Sequence, residues 1–343
     1  MILCNQKIIF LLILMFLPLL KMFGQDVRYS QFYANPVYLN PAFTGSATCP
    51  RFSINFRDQY PAIPRNYVSF SGSYDQHIAP LHGGLGLVAS TDITAAKDVG
   101  WVYRTFNAGL IYNFRVRISN NYNLHFALQG TYMTTALNRQ NLTFASEMLY
   151  PGTPPELLAE YYKHSQFNAE FGWLAYSNYL YFGMAIHHLV PVPVSFIRDH
   201  NDKFKTKWEP KWTAHLGGKI TIKQHRRHEY TFGDIFLHPN IVFISQGISN
   251  YLHEGFYFNF YPFTVGTWLR HNFHNVDALI VTCGLEYKQL RIGYSYDFNL
   301  TKLERTGGAH EVSLQFIIPC NPDKSNTKKK NSAKYSSVAC PNF

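Results

Sequence analysis

The stretch LRIGYSYDFNL, residues 290–300, alternates along its whole length. Leu290, Ile292, Tyr294, Tyr296, Phe298 and Leu300 fall on one face of an extended chain, while Arg291, Gly293, Ser295, Asp297 and Asn299 fall on the other. A period of two with chemically different faces marks a β-strand. The pattern recurs in NLHFALQGTY, residues 123–132, where Leu124, Phe126, Leu128 and Tyr132 oppose Asn123, His125, Gln129 and Thr131. Val68, Phe70 and Tyr74 likewise oppose Ser69, Ser71, Ser73 and Asp75, and Val312, Leu314, Phe316 and Ile318 oppose Glu311, Ser313 and Gln315.

Such a dyad fits either a soluble sandwich or a membrane barrel. Sandwich strands are commonly about 5–6 residues long with a mostly aliphatic inner face. Here many alternating runs reach ten residues and carry Tyr and Phe toward their ends. Strands of about 9–11 residues with aromatic girdles are what a bilayer requires of a closed barrel, because every backbone amide must find its partner inside the sheet. The sequence therefore predicts an all-β protein, a transmembrane antiparallel barrel of about fourteen strands. The strands begin near Arg51, Tyr67, Gly83, Thr105, Tyr122, Ser165, Tyr179, Lys211, Phe236, Leu252, Phe263, Asp277, Leu290 and Gly308. The longest expected links, 93–104, 135–164 and 190–210, all follow odd-numbered strands, as in a barrel with long loops at one end and short turns at the other. The stretch KQHRRHEYTFGDI, residues 223–235, is an exception, long at the short-turn end.

Composition agrees with a folded, strand-rich chain: 46% of the 343 residues are apolar, 17% aromatic and 15% charged. Residues 1–24 read as a secretory signal peptide, with Lys7 ahead of an apolar run that ends before KMFG. The run is too short for a spanning helix and Pro18 interrupts it. Residues 25–50 form a lead-in rich in Asn-Pro, 51–320 the barrel, and 321–343 a basic tail. Of the net charge of +10, the leader carries +2 and the tail +4, leaving +4 for residues 25–320. That modest surplus gives no footprint for nucleic acid. The tail, with Lys328, Lys329 and Lys330, is either a solvated linker or a contact for anionic headgroups or an acidic periplasmic partner.

In the lead-in, Asn35-Pro36 and Asn40-Pro41 are two rigid steps, each proline fixing its own φ and pushing the preceding Asn toward extended geometry. The expectation is a stiff segment without helix or ladder. Tyr29, Phe32, Tyr33, Tyr38 and Phe43 supply aromatic anchors, which would expose a large apolar patch if left in water. The segment is thus expected to fold against or into the periplasmic mouth of the barrel.

Four cysteines follow the leader: Cys49, Cys283, Cys320 and Cys340. An oxidising compartment permits pairing, and four cysteines allow three connectivities. A Cys320–Cys340 bridge would tie the tail back to the last strand, and Cys283 reads as a lipid-facing or packed strand residue.

Motifs for catalysis or cofactors are weak. Gly83, Gly84 and Gly86 lack the strand-to-helix setting of a phosphate loop and read as a turn entering a glycine-containing strand. His187 and His188 are adjacent, so a regular strand would point them to opposite faces. His225 and His228 have no acidic or Cys ligand close by and read as part of a solvated basic turn. Glu156, Glu160 and Glu170 form no recognisable acid/base pair, residues 199–202 read as a solvated loop, and no serine sits in a nucleophile elbow. No enzyme activity, cofactor or metal is expected.

FYANPVYLNPAFTG, residues 32–45, resembles the N-terminal signature of the PorP/SprF family of type IX secretion and gliding proteins of the Bacteroidetes. The resemblance continues through VSFSGSYDQHIAPLHGGLGL, DALIVTCGLEYKQLRIGYSYDFNLTKL and GAHEVSLQF, at residues 68–87, 277–303 and 308–316. It assigns Gln31, Phe32, Tyr33, Asn35, Pro36, Tyr38, Asn40, Pro41, Ala42 and Gly45 to the family motif. It implies an outer-membrane barrel, set in lipid, that assists the export or surface attachment of secreted proteins or adhesins and in some members gliding. The implied partners are periplasmic and translocon components and a secreted client. A general outer-membrane porin is the alternative.

Overall fold

The computed structural model describes residues 26–47, 49–64, 66–96, 100–119, 121–142, 148–149, 161–193, 207–225, 232–301 and 304–320. The leader and the tail, with Lys328 to Lys330 and Cys340, lie outside them. The first half of the wall comprises β1 (Arg51–Gln59), β2 (Tyr67–Ile78), β3 (Gly83–Ala96), β4 (Gly100–Arg117), β5 (Asn123–Asn138), β6 (Tyr161–Tyr176) and β7 (Leu180–His187). A two-residue hairpin, β8 (Val192–Pro193) with β9 (Lys207–Trp208), stands apart from the wall. The second half comprises β10 (Lys211–Gly218), β11 (Ile220–Lys223), β12 (Ile235–Gln246), β13 (Ser249–Phe260), β14 (Phe263–His271), β15 (Val276–Tyr287), β16 (Leu290–Asn299) and β17 (Ala309–Ile317). β11 continues β10 past Lys219, and both pair with β12.

Consecutive wall strands pair antiparallel, β7 with β10 and β10 with β12 included, and the pairing of β1 with β17 closes the ring. The result is a closed barrel of fourteen strands. Closure gives every described strand of the wall a neighbour on both sides, the condition for strands to sit in hydrocarbon, although β6 meets β7 only over residues 171–176.

Burial is inverted relative to a soluble protein, and this separates the barrel from the sandwich. Leu110 and Leu128 are 68% and 63% exposed, whereas Asp297 and Glu311 are 0% exposed and Arg57 is 2% exposed. The faces follow the alternation: Ile292, Tyr294 and Phe298 point outward with Leu314 and Phe316, while Ser295, Ser313 and Gln315 point into the lumen. Cys283 is a free thiol on the outward face of β15.

Two strand pairs run past the expected limits. β3 and β4 continue to Ala96 and from Gly100 where a loop over 93–104 is expected, and β5 pairs with β6 out to Asn138 and Tyr161. The apolar/polar contrast fades toward these strand ends, but the backbone ladder continues. The long link 224–234 remains at the short-turn end.

The cysteine pairing differs from Cys320–Cys340: Cys320 is bonded to Cys49, with the two Cα atoms 5.6 Å apart. The seam accounts for it. Arg51 pairs with Ile317, so the residues just ahead of β1 and just after β17 meet at the same rim.

Candidate functional site: the lumen and its N-terminal segment

Residues 26–46 lie inside the barrel, running from its long-link end to its short-turn end before β1 begins. They do more than fold against one mouth. The prolines shape the path by opening short helical turns, which corrects the expectation of a segment without helix. Pro36 starts the single-turn helix α1 (Pro36–Leu39), and Pro41 starts a 3-10 turn (Pro41–Phe43). Asn40 is extended at φ −153°, as a residue before proline prefers, and its side chain accepts from Ala42 N–H at 2.8 Å.

At the long-link end, Asp26 accepts from Lys211 Nζ at 2.7 Å, His188 Nε2 at 2.9 Å and Trp208 Nε1 at 2.9 Å. His188 and His187 both face inward, against the expectation of opposite faces, because β7 ends at His187 and His188 adopts φ +59°. His187 pairs with Glu170.

One level down, Glu311 accepts the backbone N–H groups of Ser30 at 2.7 Å and Gln31 at 3.1 Å. Arg57 bridges Asp297 at 2.8 Å and Glu311 at 3.1 Å, and Arg270 adds a second contact to Asp297 at 2.9 Å. Buried charges of this kind are tolerable only when paired. Here the lead-in backbone supplies part of the pairing. Phe32 and Tyr33 then enter an aromatic cluster with Trp268, Tyr257 and Tyr181, centroids 5.3–6.4 Å apart, and Asn35 donates to Ser71.

Below, Asn40 Nδ2 lies 3.1 Å from the Trp173 carbonyl, 3.2 Å from that of Met184 and 3.0 Å from His215 Nε2. Thr44 O accepts from Asn113 at 2.6 Å, and Gly45 N–H donates to Asp75 at 2.8 Å. The glycines of HGGLGL serve this contact. A Cβ on Gly84 would lie 2.7 Å from Gly45 Cα, and one on Gly86 would lie 2.8 Å from Thr44 Cγ2. Gly45 itself has φ +67°, which favours glycine. All ten motif residues, from Gln31 to Gly45, are therefore brought together in one lumen.

The wall residues that receive them, notably Arg57, Asp75, Asn113, Lys211, His215, Asp297 and Glu311, are not singled out by the sequence. Their only local signal is a charge or polar group on the inward face, which a water-filled lumen would also show. His225 contacts Asp234 at 2.8 Å, whereas His228, Glu156, Glu160 and residues 199–202 lie outside the described residues. Among the described residues, no group of three or more His, Cys, Asp or Glu is arranged for a metal ion.

The sequence model for the type IX secretion system membrane protein PorP/SprF matches residues 21–316, from ahead of the lead-in into β17. The chain belongs to the PorP/SprF family. This PorP/SprF protein matches no curated protein. Among solved structures it is similar to a Pseudomonas aeruginosa FadL homologue, at 10% identity over 86% of this chain and 99% of that one, with a TM-score of 0.47. It is also similar to the Pseudomonas putida toluene transporter TodX, at 9% identity over 86% and 94% of the two chains, with a TM-score of 0.42. PorP/SprF membership accounts for the lead-in motif and the barrel together, since the matched span contains both.

Proposed function

We propose that this protein is a non-catalytic outer-membrane accessory barrel of type IX secretion. It assists the export or surface attachment of secreted proteins or adhesins and, in cells that glide, contributes to motility. Family membership supports a place among type IX secretion components. The observation that carries the reading is the seated lead-in, bonded to the wall from Asp26 to Gly45. A general porin needs a clear lumen, whereas a barrel filled by its own N-terminus suits a scaffold. The basic tail at Lys328 to Lys330 is the proposed periplasmic contact, and the barrel wall is the proposed lipid contact.

Affinity purification of a tagged copy tests the role. Secretion components and one secreted client are expected to co-purify, and recovery of neither would overturn it. In planar bilayers the full-length protein is expected to show no steady conductance; a stable open level would favour the porin.

A further inference from the structure

Asp26 is held as a bound carboxylate ligand is held. Lys211, His188 and Trp208 send N–H donors to it from three separate positions of the outer rim, at 2.7, 2.9 and 2.9 Å. All three are more than nine-tenths buried, at 6%, 6% and 4% exposure. The Lys211 ammonium also lies 4.9 Å from the centre of the Tyr38 ring. A buried ammonium is costly without an anion facing it, so the cluster is satisfied only when a carboxylate fills it.

The occupant sits in a loosely packed part of the lead-in. Its foot is continuous with β1, beside the Cys49–Cys320 bridge, and Gly45 is pressed against Gly84. Its head is flanked by two cavities of ≈ 40 Å³ each, both bordered by Asp26 and Tyr38; one extends to Glu170 and His187, the other to Asp92 and Tyr103. Each has room for water. Where the head borders these cavities it faces room for water rather than packed side chains, so displacing it breaks fewer packing contacts than displacing the foot would.

We propose that Lys211, His188 and Trp208 form a carboxylate-binding site at the outer mouth. Asp26 fills it in the resting barrel and exchanges with the carboxylate of an incoming peptide, from an acidic side chain or the chain terminus. Exchange frees the head of the lead-in, so occupancy at the mouth is coupled to the filling of the lumen. This rests on the lumen geometry and not on the secretion role, so either can fail without the other.

The test uses the full chain in detergent with Asp26→Ala, titrated with sodium acetate against sodium chloride at matched ionic strength. The thermal transition of the variant is expected to rise saturably with acetate, while the wild type stays flat over the same range. Adding Lys211→Ala is expected to weaken the acetate response by about tenfold or more, since it removes the charged donor. A short neutral peptide with a free C-terminus, its C-terminal amide, and an amide carrying one Glu identify the source. Binding of the first alone assigns the chain terminus, and binding of the third assigns the side chain. If Asp26→Ala does not fold unaided, it is refolded in acetate and in chloride: recovery of the folded barrel in acetate alone supports the site, and equal recovery or none in both overturns it. An acetate response no larger than that to chloride, or one undiminished by Lys211→Ala, overturns the proposal.

Discussion

Ser30 N–H donates to Glu311 Oε2 at 2.7 Å, joining residues 281 positions apart in the chain. The same oxygen accepts from Arg57 Nη1 at 3.1 Å, so one carboxylate serves both the wall and the lead-in. Replacing Glu311 by Ala leaves Arg57 with Asp297 as its one carboxylate partner, beside Ser30 Oγ at 2.9 Å, and two lead-in amides without their acceptor. Loss of one partner from a buried charge network costs about 3–5 kcal/mol. Denaturant titration of the folded barrel in detergent is expected to show a loss of that size, together with faster proteolysis near Ser30.

Gly84→Val tests the foot of the lead-in. The new Cβ would meet Gly45 Cα at 2.7 Å, a backbone atom that has no rotamer with which to move away. Overpacking of this kind costs about 1–3 kcal/mol. The wall strand itself tolerates valine well, so limited proteolysis is expected to cut the lead-in of the variant while the barrel still migrates as a folded species on unboiled gels.

Lysine substitutions distinguish the two faces of β16 and β17. Tyr294→Lys and Leu314→Lys put a charge on the lipid face and are expected to cost about 2–4 kcal/mol near the midplane. The alternation alone would make Ser295→Lys and Ser313→Lys cheaper. The filled lumen reverses that expectation, because Ser295 is 0% exposed, Ser313 is 2% exposed and both contact Gln31. All four variants are expected to be destabilised, but only the Ser295 and Ser313 losses should be partly relieved by adding Gln31→Gly. Relief of the Tyr294 loss by the same change would show the faces to be misassigned.

Non-reducing peptide mapping checks the cysteine pairing. A linked pair of peptides containing Cys49 and Cys320 is expected, with Cys283 recovered as a free thiol. A Cys320–Cys340 peptide would contradict the structure.

The barrel was legible because each strand declares its two faces locally: Ser295 between Tyr294 and Tyr296 needs no tertiary information to be read. Loop asymmetry added the direction of the wall. What failed were inferences about regularity and long-range closure. Alternation puts His188 opposite His187 only if the strand runs one residue past its end at His187, and there φ is +59°. Asn35-Pro36 and Asn40-Pro41 are stiff steps in sequence, but proline is equally suited to the first position of a helical turn, which is where both stand. Among the three connectivities, nothing local favours Cys49–Cys320, because the two stand 271 residues apart and are brought near only by the β1–β17 seam. The lumen partners were hidden for the same reason, since Arg57, Asp297 and Glu311 each look like an ordinary inward-facing charge.

The last strand of the wall carries much of the grip on the first residues of the lead-in. Glu311 holds Ser30 and Gln31, Ser313 holds Gln31, and Gln315 donates to the Ala34 carbonyl at 3.4 Å, all from β17. β17 is also the strand that zips against β1 to complete the ring. One strand therefore serves two unions at once: the bonds that anchor the N-terminal segment and the ladder that seals the cylinder depend on the same register of β17. A one-residue slip of β17 against β1 would turn Glu311, Ser313 and Gln315 away from the lumen, so the segment and the seam select the same register.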